Sequence, residues 1–249
     1  INSLNCSGTF NLSGSTTEFT LTTTSQIQSG GTFTQSGGTL MGAGNLTVNG
    51  SMSWTGGAMS GLGQTIIASG ATLTISGGNT KYLLRTLDNQ GTVTQTGSFF
   101  RFNSGTLNNS GTYDIQVNSG IGESGGTNSV VNTGTFKKSS GTSTSTLSVS
   151  FNNNGGTVQL DTGTLEFGSS GSFAGGTYTV ASGAVLEFDQ NTSSQVFTVS
   201  GSLSGAISGT FRLVDGTVTV AGGGATFAFT GNGFTLDTGV IDGSGTLAT

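Results

Sequence analysis

Apolar and polar residues alternate in short bursts along this chain. Thr92-Val93-Thr94, Thr112-Tyr113-Asp114, Thr135-Phe136-Lys137, Thr157-Val158-Gln159 and Thr177-Tyr178-Thr179 share one pattern. A period of two predicts a β-strand whose central residue faces a core and whose flanks face out. A recurring phrase leads into the bursts: apolar, any, Asn, any, Gly, Thr, apolar. It reads Leu87-Asp88-Asn89-Gln90-Gly91-Thr92-Val93, then Leu107-Asn108-Asn109-Ser110-Gly111-Thr112-Tyr113, then Val130-Val131-Asn132-Thr133-Gly134-Thr135-Phe136. A looser copy with one extra residue starts at Phe151. The Asn and Gly predict a tight corner with left-handed backbone. A further short strand is expected in each coil, from Gly38-Thr39-Leu40, Gly57-Ala58-Met59, Gly105-Thr106-Leu107, Gly163-Thr164-Leu165 and Gly183-Ala184-Val185. No stretch of ten residues carries the i, i+3, i+4 pattern of an amphipathic helix, so almost no α-helix is expected.

The corner glycine returns every ~20–23 residues from Gly8 to Gly245, a period typical of solenoids. The predicted fold is therefore all-β: a single-domain parallel β-helix over residues 1–249, of about 12 coils. At ~4.8 Å per coil the rod would be roughly 55 Å long. Stacking coils place equivalent residues in columns. Asn89, Asn109, Asn132 and then Asn153 or Asn154, with Asn154 preferred, should form an amide ladder. Val93, Tyr113, Phe136, Val158 and Tyr178 should line the core. Thr94, Asp114, Lys137, Gln159 and Thr179 should face out, as should Glu166, Glu187 and Arg212. The spacing loosens at 189–200, where an insertion or longer corner is expected. Neither end of the sequence shows a capping helix. An uncovered end coil invites further strands, so the expectation is a segment of a longer chain or a rod joined head to tail.

Composition narrows the reading. Apolar residues make up 32%, with 16 Phe, while the net charge is only −5; disordered chains have few aromatics and high charge. Six basic residues spread over a rod cannot supply the cluster that nucleic acid requires. Lys81, Arg85 and Arg101 come nearest to a patch and read as scattered, solvated charges. No apolar run is long enough to span a bilayer as a helix. The single cysteine, Cys6, cannot staple the fold; pairing between molecules is one reading, and a small buried residue is the plainer one. Low Cys and Lys with abundant Ser, Thr, Asn and Gly fit a secreted bacterial protein.

The phrases Arg85-Thr86-Leu87-Asp88-Asn89-Gln90-Gly91-Thr92-Val93 and Ala181-Ser182-Gly183-Ala184-Val185-Leu186-Glu187-Phe188 carry a resemblance. The chain resembles secreted bacterial β-solenoid surface proteins, of the autotransporter-passenger and filamentous-haemagglutinin type. The resemblance covers nearly the whole chain as a style of repeat. It implies an extracellular or cell-surface location and a role in adhesion, matrix or fibre building. It implies no catalytic residue.

Little chemistry is legible. With no histidine, His-based triads and zinc sites are excluded, and one cysteine excludes thiolate clusters. Gly42-Ala43-Gly44-Asn45 lacks the acid of a calcium-binding nonapeptide, and no metal or other cofactor is expected. The one constellation is acidic. Glu166 and Glu187 should sit on adjacent coils, about the ~5 Å apart that retaining glycosidases use, with Asp189 nearby. The alternative reading as a carbohydrate-binding or polysaccharide-cleaving domain rests on these three; a solvated charge ladder beside Arg212 is the plainer account. Tyr82 is the best exposed ring for a sugar, and Trp54 is the only Trp. A flat ice-binding threonine array is interrupted by Asp114, Lys137 and Gln159. The sequence thus points to a non-enzymatic structural and interaction protein. Its expected partners are copies of itself, the remainder of a longer chain, or surface glycans.

Overall fold

The structure, a computed structural model, describes residues 2–189 and 195–249. Of the longer corner expected at 189–200, residues 190–194 lie outside the described residues; Asp189 ends one strand and Val196–Ile207 begins the next.

Each coil contributes three short strands, and equivalent strands stack into three columns. The first column opens with Asn5–Cys6, Ser25–Ile27, Leu46–Val48 and Gln64–Ile67. The second opens with Thr9–Leu12, Thr32–Gln35, Ser51–Trp54 and Thr72–Ile75. The third opens with Glu18–Thr20, Thr39–Met41, Gly57–Met59 and Lys81–Leu83. Every pairing joins parallel strands one coil apart, as Thr92–Gln95 does with Thr112–Ile115. The result is a right-through parallel β-solenoid of about 11 coils, with no helix among the described residues. Gly171–Val180 fuses the first two columns into one long strand. Val196–Ile207 and Thr217–Gly231 repeat this, while the third column stays separate. The first two columns part again only at Val240–Gly243 and Leu247–Ala248.

Period-two alternation builds the core. Val93, Tyr113, Phe136, Val158 and Tyr178 are register partners in succession, and all are fully buried. Burying one such side chain contributes about 1.5–3 kcal/mol. The Tyr113 and Phe136 rings stack with centroids 5.1 Å apart and planes 2° from parallel. Two details differ from expectation. Gly105-Thr106-Leu107 opens the first-column strand Thr106–Asn109, unlike the other four strand examples, which lie in the third column. Leu107 belongs to the Asn phrase, so this segment is the first-column strand itself and not a further one.

The second difference concerns the corner glycines. Gly91, Gly111 and Gly134 do not have positive φ, and neither do the asparagines before them. Glycine is needed there for room. A Cβ on Gly111 would lie 2.1 Å from the Gly91 carbonyl oxygen, and one on Gly134 would lie 2.2 Å from that of Gly111. Backbones pack directly on one another at this corner, so a column of hydrogens is the only side-chain set that fits.

The corner after the second column turns its carbonyls inward, and buried polar groups must pair them. Gln35 Nε2 donates to Ala58 O (2.8 Å), Trp54 Nε1 to Gly56 O (3.1 Å) and Gln95 Nε2 to Gly120 O (2.9 Å). Lys138 Nζ donates to Val117 O, Ser140 O and Ser145 Oγ at 3.0–3.1 Å. All four side chains are fully buried.

Candidate functional site

The first-to-second-column corner holds a buried amide ladder. Asn89 Nδ2 donates to Asn109 Oδ1, Asn109 Nδ2 to Asn132 Oδ1, and Asn132 Nδ2 to Asn153 Oδ1, each at 2.7 Å. The same nitrogens reach the backbone oxygens of Thr112, Thr135 and Thr157 one coil on. The fourth rung is Asn153. Asn154 does not belong to the ladder: register sets Asn132 against Asn153, and the next residue in the strand points outward and is exposed. Asn153 Nδ2 then donates to Tyr178 OH at 2.9 Å, so a phenol ends the run. Burial raises the pKa of Tyr178, with the Asn153 bond partly opposing, and the ring stays neutral. The ladder is structural and leaves no donor turned to solvent.

The acidic group lies on the outer surface of the third column. Glu166, Glu187 and Arg212 are consecutive register partners. Glu166, Glu187 and Asp189 offer carboxylate oxygens that all lie within 4.8 Å of one another. Burial pushes the Glu166 carboxyl up, and the charges of Asp189 and Glu187 add to this; a hydrogen bond with Thr146 opposes it. Three close carboxylates could hold a hard cation with oxygen ligands, or place two carboxyl groups at the separation of a retaining glycosidase. Arg212 engages one of the three, Glu187. Its Nε and Nη2 both donate to Glu187 Oε2, at 3.1 and 2.9 Å, and its Nη1 pairs with Asp237 at 3.0 Å.

Other charges are placed less simply than a solvated outer ladder. Glu187 and Asp114 stand on outward columns, yet only 7% and 5% of their surface is exposed. Asp114 is covered by Gln116, Ser139 and Lys137, all of which bond to its Oδ2. Lys81 and Arg85, read from sequence as scattered surface charges, are buried. Lys81 Nζ donates to Ser76 O and Gly77 O, and Arg85 donates to Gly63 O and Gly44 O. Burial lowers the pKa of Lys81 and brings that of Arg85 down to about 10. These cations close corners that would otherwise strand carbonyls. Trp54 is fully buried, and Tyr82 is 37% exposed.

No family model matches this chain, and searches of curated proteins and of solved structures find no match.

Proposed function

We propose that this chain is a non-enzymatic structural module, a stiff rod in a secreted bacterial surface adhesin or extracellular fibre. The observation that supports this reading is the unbroken parallel ladder, which joins every coil to the next through two continuous sheets. Such a ladder resists bending, and its open first and last edges can accept a further strand. Half-buried Phe10 and Phe19 border the first coil, and half-buried Phe229, Phe234 and Leu247 border the last. A neighbouring coil, from the same chain or from a second copy, would cover them. The repeat style shared with autotransporter passengers and filamentous haemagglutinins favours the same role and a cell-surface location. Head-to-tail contact that does not close produces a filament. Electron microscopy of concentrated protein should show axial stacks; a single monomeric species by sedimentation at every concentration would remove the self-association part of the reading.

A second reading, polysaccharide cleavage at Glu166, Glu187 and Asp189, is favoured by one observation: the three carboxylates converge and Glu166 holds its proton above the usual range. The Arg212 clamp on Glu187 weighs against it, because a nucleophile or acid so paired is already satisfied. Glu187→Gln should leave the fold intact. If the parent cleaves any polysaccharide and this variant does not, the rod is also an enzyme.

A further inference from the structure

Two surface grooves follow one another at the corner between the second and third columns. The larger, about 540 Å³, spans the first four coils. Its floor is mostly glycine for a stacking reason: a Cβ on Gly57 would lie 2.3 Å from Gly38 O, and one on Gly38 would lie 2.5 Å from Thr17 O. Asn79, Thr80 and Tyr82 form its far wall. The smaller groove, about 280 Å³, occupies the next three coils, with Phe99 and Arg101 on one side and Asn118, Ser119, Thr144 and Thr146 around it. Tyr82 and Arg101 are register partners on adjacent coils, about 4.8 Å apart along the rod. The two grooves therefore meet at this pair and form one track along the long axis.

Stacking explains the floor but not the rim. Phe99 is 51% exposed and is one of two non-glycine residues with positive φ among the described residues, at 58°. That conformation is unfavourable for an aromatic residue, and no core contact compensates an outward ring. Arg101 is as unusual. Of the six cations, Lys81, Arg85 and Lys138 are buried against carbonyls, and Lys137 and Arg212 are ion-paired. Arg101 alone is neither buried nor ion-paired among the described residues; its Nη1 donates to the backbone oxygen of Glu123 at 3.2 Å. No acid lines either groove, although acids outnumber bases 11 to 6 in the chain. An unneutralised guanidinium between two exposed rings, among neutral amides and hydroxyls, is a site for a long, polar, anionic ligand with apolar ring faces.

We propose that this track binds an extended acidic polysaccharide. Sugar faces lie on Tyr82 and Phe99, a uronate carboxylate pairs with Arg101, and sugar hydroxyls meet Asn79, Thr80, Asn118 and Ser119. Aromatic rings supply flat apolar area with little rotamer entropy to lose, and a guanidinium matches a carboxylate in charge and shape. The proposal goes beyond the rod reading and does not depend on it, since filament formation and glycan binding are separate measurements.

Affinity electrophoresis and calorimetry with polygalacturonate, and with laminarin as a neutral glucan, test it. The chain should bind polygalacturonate, more weakly in high salt because the exposed pair is screened, and should bind laminarin far less. Arg101→Gln should weaken binding roughly tenfold or more, as expected for loss of a charge-assisted contact. Phe99→Gly removes the ring at a backbone angle where glycine is at home, so the fold is kept while binding falls several-fold. Circular dichroism checks the fold of each variant, and Asp242→Asn, in the last coil and remote from the track, should bind as the parent does. Absence of binding by the folded parent, equal binding of laminarin, or unchanged affinity in Arg101→Gln would each overturn the proposal. None of these outcomes bears on whether the rod forms filaments.

Discussion

The middle coils and the last coils solve the same corner in different ways. Between Thr86–Asn89 and Thr157–Leu160, the chain turns from first to second column with a buried amide at every coil and a glycine of ordinary φ two residues on, or three residues on at Asn153, where the extra Gly155 has φ +76. From Gly171–Val180 onward the amide position is taken by Phe173, then Val199, then Val220, and the strand runs straight through the bend. There the turn is made by glycines in the left-handed region: Gly175 and Gly176, then Gly201, then Gly224. The middle closes its corner with polar bonds and needs glycine for space. The end closes it with backbone conformation and fills the interior with rings, among them Phe167, Phe173, Phe188, Phe197 and Phe211. A buried amide must be fully bonded or it destabilises; a ring demands only shape. Tyr178 joins the two regimes, since its hydroxyl ends the amide ladder while its ring stacks on Phe211 at 5.7 Å.

The sharpest way to break this comparison is a pair of identical substitutions. Gly134→Ala drives a methyl to 2.2 Å from Gly111 O, against backbone on which another coil rests. The expected loss is about 3 kcal/mol or more, the upper range of overpacking. Gly201→Ala meets nothing closer than 3.6 Å and must only tolerate φ +68, a strain of about 1–2 kcal/mol. Urea midpoints of the two variants should rank in that order. The reverse ranking would mean that left-handed backbone, and not room, is the reason for glycine in both regions.

Next in size is Asn132→Leu. It removes one rung, leaving Asn153 Oδ1 and Thr157 O without the donor they share. Leaving buried acceptors unpaired costs about 1–3 kcal/mol each, so a total of about 2–4 kcal/mol is expected. Hydrogen exchange should rise first in the coils of Asn109 and Asn153 and leave those beyond Val196–Ile207 protected, because solenoid coils couple mainly to neighbours. Uniform loss of protection would show that the two regions unfold as one unit.

How much of this could be read from the chain depends on whether parity or room decides a position. The fold was legible because Val93, Tyr113 and Phe136 recur after identical Asn-x-Gly-Thr phrases, and register follows from such phrases. Asn153 and the expected Asn154 both fit the phrase, and only pairing with Asn132 separates them. For the buried Gln35, Gln95 and Lys138, parity and polarity disagree: each lies two residues after an inward Phe33, Val93 or Phe136. Polarity argued for solvent, while the turn carbonyls, invisible in a sequence, argued for the interior. The groove rim was illegible for a similar reason, since the positive φ of Phe99 and the lack of an ion pair at Arg101 are properties of the folded corner.

Lys138→Met tests that point at a smaller scale. The change keeps the apolar stem and removes the donor to Val117 O, Ser140 O and Ser145 Oγ. Burial already disfavours the charge, lowering the lysine pKa, so part of the lost bonding is offset by relief of that penalty. A net loss of about 1–2 kcal/mol is expected, less than at Asn132. Glycine at the same corner in the last coils has no such cation to lose. A variant as stable as the parent would show that water replaces the ammonium without cost, and that buried polarity in the middle coils is tolerated and not required.

The smallest effect belongs to the seam between the two regions, where Glu166 on the last amide-laddered coil faces Glu187 on the first fused one. Burial and the charges of Asp189 and Glu187 raise the Glu166 pKa above its ordinary 4.5. The folded chain therefore keeps this proton to higher pH than the unfolded chain does. Stability falls as pH rises from about the ordinary glutamate value through the raised one, and the deficit is constant above it. Glu166→Gln removes the deficit. The variant should be more stable than the parent at pH 7, by less than about 1 kcal/mol because the site is partly solvated, and no different at pH 3.5, where both carry a neutral side chain. Paired urea titrations at the two pH values measure this. An equal gain at both would assign the effect to packing against Thr146, and a loss at pH 7 would mean that the Glu166 carboxylate is held by a counter-charge, as Glu187 is by Arg212.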